Sequence, residues 1–84
     1  IIVMIDYTEQ INSSSINRLI LGRIVPNNIE IMFKSSKMIY NYVIKDDIFT
    51  ESLEKAIESK ESLGKLVNKA IRSKELELID KYLA

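Results

Sequence analysis

Between Ile29 and Lys45 apolar and polar positions alternate along two arms of similar length. On the first arm Ile29, Ile31 and Phe33 alternate with Glu30, Met32 and Lys34, the period of two that a half-buried strand requires. Ser35, Ser36 and Lys37 supply a short turn. The second arm places Met38, Tyr40, Tyr42 and Ile44 on one side and Ile39, Asn41, Val43 and Lys45 on the other. The stretch therefore predicts an antiparallel ribbon. Neither side of its second arm is polar throughout, unlike a sheet with one wet face. The surplus apolar side calls for a covering partner.

Upstream, Ile1 to Tyr7 is rich in β-branched residues and predicts a first strand, central in its sheet or paired with another subunit because both faces are apolar. From Asn12 the spacing changes: Ile16, Leu19, Ile20 and Ile24, with Arg23 among them, recur at three and four residues and predict a helix. Asn12 or Ser13 would cap it, Gly22 would weaken it, and Pro26 would end it before the Asn27-Asn28 turn. Downstream, Asp46-Asp47 closes the ribbon and Thr50 is the expected cap of the next helix. Leu53, Ala56 and Ile57 form one stripe, and Leu63, Leu66, Val67, Ala70 and Ile71 a second. We read two helical segments. Leu78, Ile79, Tyr82 and Leu83 predict a last amphipathic helical stretch, with Glu75 and Glu77 at its positive end.

The expected architecture is thus α+β in two layers: a three-stranded antiparallel sheet in the order β-α-β-β, helices on one face, and a helical C-terminal half. Residues 1–45 would form the strand-helix-hairpin part and 46–84 the helical part of a single domain, since 84 residues hold one core. So small a core gives modest stability, for which association is a common remedy.

Twelve Lys and Arg balance twelve Asp and Glu, so the whole-chain field exerts no strong pull on nucleic acid or an anionic membrane. The first forty-five residues nevertheless carry more base than acid. Cysteine and histidine are absent, which removes a disulfide framework, a thiolate nucleophile, zinc ligands of the usual kinds and the commonest general base. No apolar run approaches the ~18–20 residues of a membrane span. The expectation is a soluble, cytoplasmic, non-enzymatic chain without a cofactor.

Candidate sites are few. Asp46, Asp47 and Glu51 have oxygens suited to a hard cation but lack the glycine and alternating ligands of a calcium loop, so capping is the better reading. Ser13, Ser14 and Ser15 have no histidine to activate them. Arg18, Arg23, Lys34 and Lys37 could meet phosphate, with Tyr40 and Tyr42 as a stacking platform for single-stranded RNA. The apolar surplus selects a contact surface: Met32, Ile39, Tyr40, Tyr42 and Val43 on the ribbon, with Leu66, Leu78 and Tyr82 from the helical half. A homodimer is expected, with other protein subunits as further partners.

With this order of elements, the chain resembles the small dimerising subunit of the KEOPS complex, which supports threonylcarbamoyladenosine modification of tRNA. Ile24-Val25-Pro26-Asn27-Asn28 stands where that family has a Leu-x-Pro-Asp-Asn-like turn after its helix, Ile29 to Lys45 matches its hairpin, and Asp46-Asp47 leads toward its long helix. Asn27 departs from the family's aspartate. The resemblance implies a non-catalytic subunit that pairs with itself, docks on a sugar-kinase-like catalytic subunit, and meets tRNA through the complex.

Overall fold

The computed structural model describes residues 4–11, 15–22 and 27–83. Five strands and two helices follow one another as β1 (Met4–Asp6), β2 (Ile16–Gly22), β3 (Asn28–Phe33), β4 (Met38–Ile44), α1 (Asp47–Glu58), α2 (Leu63–Arg72) and β5 (Leu76–Leu83). The strands form one antiparallel sheet in the order β1-β2-β3-β4-β5. The hairpin is where its alternation puts it, with Ile31 opposite Tyr40 and Ile29 opposite Tyr42. The two layers stand, but the expected three-stranded sheet and helical C-terminal half do not.

Two segments expected as helices are strands, and both contain a bulge. In β2, Ile16 faces Phe33 and Arg18 faces Met32, so Asn17 is an extra residue. A bulge resets the alternation by one position. It brings Ile16 and Leu19, three apart in sequence, onto the same face, and so imitates helical spacing. In β5, Leu78 faces Tyr42 and Asp80 faces Asn41, leaving Ile79 as the extra residue. Leu78, Ile79, Tyr82 and Leu83 therefore look like a helical stripe while lying on two sides of a strand. The first strand also differs from expectation: β1 is a short edge strand beside β2, with Met4 exposed.

The helices cover one face of the sheet. Ile16, Leu19, Leu21, Ile29, Ile31, Tyr42, Ile44 and Leu76 meet Phe49, Leu53 and Ala56 of α1 and Leu63, Val67 and Ala70 of α2 in a continuous core. Gly64 shows how tightly α2 approaches the start of β2, because a Cβ there would collide with the Ser15 hydroxyl. Helix α1 is capped by Asp46, whose carboxylate accepts from the Ile48 N–H at 3.0 Å, and not by Thr50, which lies inside the helix. The two helical segments are separate, divided by a turn through Ser59–Ser62.

Both helices end on a lysine in left-handed backbone, Lys60 at φ 55° and Lys74 at φ 63°. At each end an N–H reaches back five residues, from Glu61 to Ala56 O and from Glu75 to Ala70 O, both at 2.9 Å. This closing motif normally takes glycine at the left-handed position, where a Cβ is unfavourable. Lys60→Gly and Lys74→Gly are therefore each expected to stabilise the fold by about 0.5–1 kcal/mol, read as a higher urea midpoint with unchanged slope. A loss of stability at both positions would contradict the turn geometry.

Candidate functional site

The register distributes the sheet's side chains between two unlike faces. The helix-covered face carries Phe33, Tyr40 and Tyr42 in a row, with Phe33 edge-on to Tyr40 at 5.7 Å and Tyr40 stacked on Tyr42 at 6.5 Å between ring centroids. Tyr42 is buried, and loss of water, together with the neighbouring Tyr40, pushes its hydroxyl pKa up from the ordinary value of 10.0. Beside this row the sheet and the end of α2 leave a cleft of about 540 Å³, lined by Tyr40, Tyr42, Ile71, Leu76 and Leu78 together with Lys45, Lys74 and Glu77.

No helix among the described residues covers the other face. It is built of cross-strand rows, one running Arg18, Met32, Ile39, Tyr82 and the next Ile20, Glu30, Asn41, Asp80. Asp6 stands opposite Ile20 and extends the second row. Polar ties lace this face together. Asn28 donates its amide to Asn41 Oδ1 at 3.1 Å, Lys45 pairs with Glu77 at 3.0 Å, and the Tyr82 hydroxyl donates to Glu30 Oε1 at 2.6 Å, reaching over β4.

The residues expected at an interface are therefore split. Met32, Ile39, Val43 and Tyr82 come together on the open face. Tyr40 and Tyr42 belong to the opposite face and line the cleft, while Leu66 packs on the core from α2 and Leu78 borders the cleft from β5. Among the expected phosphate contacts, Arg18 lies on the open face, exposed Lys34 and Lys37 flank the β3–β4 turn, and Arg23 lies outside the described residues. Arg18 shares its face with Asp6, Glu30 and Asp80, so no basic patch forms there. The tyrosines do not make an open stacking platform beside those bases.

Two features were not anticipated. Leu83 is the most exposed large apolar residue described, at 73%, and Ile79 is exposed on the same outer strand. Helix α2 carries Lys65, Lys69 and Arg72 and no carboxylate between Leu63 and Arg72. A charge count over that window would have found the second. The first needs the bulge. No group of three or more carboxylates converges on a possible metal site among the described residues, and none of their helices is long and apolar enough to cross a membrane.

The hydrogen bond from Tyr82 to Glu30 favours the neutral phenol, with burial as the next cause, and raises its pKa above 10.0. A raised folded-state value contributes stability that is fully present below about pH 10 and is lost as pH rises through the folded-state pKa. Tyr82→Phe is expected to cost about 0.5–1 kcal/mol at pH 7, an exposed bond being at the low end. The difference from the parent chain should shrink at alkaline pH. Urea melts at both pH values check it, and an unchanged difference would remove this tie from the account.

No family model matches the sequence, and no curated protein and no solved structure is significantly similar to it.

Proposed function

We propose that this chain is a non-catalytic association module, which pairs with itself and presents the open face of its sheet to further protein subunits. One observation carries the reading. Of the six large apolar residues exposed among the described residues, Leu78, Ile79, Tyr82 and Leu83 stand together in β5, at the flank of the sheet. An outer strand with a free edge and apolar side chains is a template for pairing. Sedimentation over a micromolar concentration series is expected to show a monomer–dimer equilibrium. A monomer at every concentration, with no partner recovered from the source cell, would overturn the reading.

The narrower form of this proposal is a subunit of a KEOPS-like complex. It is supported by the Ile29 to Lys45 hairpin, but the helix it calls for before Pro26 is replaced by β2. Recovery of a sugar-kinase-like partner would establish it. A second reading, nucleic-acid binding, draws on Lys65, Lys69 and Arg72 of α2 in place of the basic first half. Titration with RNA at two salt concentrations separates the two, since phosphate contacts weaken steeply with salt.

A further inference from the structure

We infer that the partner seated on β5 is the β5 strand of a second copy, in one antiparallel register that puts Leu76 opposite Leu83 and Leu78 opposite Lys81 of the other chain. The inference rests on the association reading and specifies its geometry.

Because Ile79 is the extra residue, Leu76, Leu78, Lys81 and Leu83 all lie on the helix-covered side, and Glu77, Asp80 and Tyr82 on the open side. Two sheets that join edge to edge into one must match these sides residue by residue. Pairing Leu76 with Leu83 satisfies the match along the whole strand: Glu77 meets Tyr82, Leu78 meets Lys81, and the dyad falls between Ile79 and Asp80. Moving the register by one residue places side chains on opposite faces. Moving it by two, so that Leu76 meets Lys81, puts Glu77 opposite Asp80 twice, clustering four carboxylates. In the favoured register every charged residue of β5 faces an uncharged one, and like charges directly opposite are the arrangement a sheet avoids.

Backbone polarity agrees. The Lys45 N–H donates to Glu75 O at 2.7 Å, so Glu75 turns its carbonyl toward β4. By alternation, and with the bulge counted, Leu76, Leu78, Lys81 and Leu83 turn their backbone groups outward. The Lys81 N–H bonds the Asp80 carboxylate at 2.8 Å, so it is not spent on β4, and pairing exchanges that intramolecular acceptor for a carbonyl of the other copy. The favoured register sets these outward groups against one another. It also brings each Leu83 beside Leu76 of the other copy, on the side of the sheet that holds the 540 Å³ cleft lined by Tyr42, Ile71 and Leu76. The most exposed apolar side chain of one copy thus comes beside a cleft of the other whose apolar residues share its lining with Lys45, Lys74 and Glu77.

A chain free of cysteine makes the test direct. Glu77→Cys and Tyr82→Cys are purified separately, then oxidised mildly alone and mixed, with the products read by non-reducing electrophoresis. Opposite residues in a non-hydrogen-bonded pair are about 4.5 Å apart at Cα, within disulfide reach, whereas either cysteine lies about 17 Å from its own counterpart. A covalent dimer is expected only from the mixture. Lys81→Pro, which removes an outward N–H and no apolar surface, is expected to weaken the sedimentation dimer at least about tenfold. Leu83→Glu, at an exposed position, should do the same and guards against a misfolded proline variant. A dimer that neither cross-links in the mixture nor responds to these variants would overturn this register while leaving self-association standing. A chain monomeric throughout would overturn both.

Discussion

Phe49→Ala is expected to cost about 3–5 kcal/mol, the range for emptying a buried aromatic site. Phe49 is 1% exposed in the first turn of α1, and its backbone N–H is tied to Asp46 O at 3.0 Å, so the helix start cannot slide to fill the space. It closes the core between the sheet and the helical hairpin, with Leu53 and Ala56 on its own helix and Leu63 and Val67 on the next. At ~0.05–0.15 kcal/mol per residue, a chain of 84 residues has only about 4–12 kcal/mol to lose. The variant should therefore melt at least about 15 °C lower or fail to fold at all. Calorimetry or a circular-dichroism melt decides it, and a fall of only a few degrees would show that α1 does not seal the core.

Leu21→Lys is expected to have an effect as large, and it separates the strand from the helix that spacing alone suggests. Leu21 lies off the stripe of Ile16, Leu19, Ile20 and Ile24, so on a helix it would face solvent and a lysine there would be tolerated. In the structure Leu21 is 1% exposed, between Ile5 of β1 and Ile29 of β3 on the covered face. A lysine there would hold its ammonium away from water with no acid nearby in the core, at a cost of several kcal/mol. Loss of the folded circular-dichroism signal is the expected result. A stable, folded variant would return Ile16–Gly22 to a helix.

What could be read from the residues, and what could not, divides at the bulges. The β3–β4 hairpin carries none, so its alternation survives intact and correctly sorts Ile39 and Val43 from Tyr40 and Tyr42. The stripes of α1 and α2 are also plain, because Leu53–Ala56 and Leu63–Val67–Ala70 fit only the helical period. Asn17 and Ile79 each add one residue to a strand, and one added residue turns a period of two into apparent spacings of three and four. The error propagates to the surface. Read as a helix, Ile79 and Leu83 belong to a buried stripe, whereas on an outer strand they are exposed. Parity separates Ile39 and Val43 from Tyr40 and Tyr42, but with apolar residues on both sides of the arm it does not say which side the helices cover, so the expected contact surface takes residues from both.

The sheet is filled in sequence order, and β5, at its outer flank, is the last of the described strands. Strands β1 to β4 each pair with the next strand in sequence, but β5 reaches β4 only across the whole helical hairpin. That pairing spans the largest sequence separation of any neighbouring pair in the sheet, so it waits on the ordering of the helical hairpin and is expected to be the slow step of folding. Leu76 of β5 belongs to the core, so the step that seats the outer strand is also the one that shuts the hydrophobic interior.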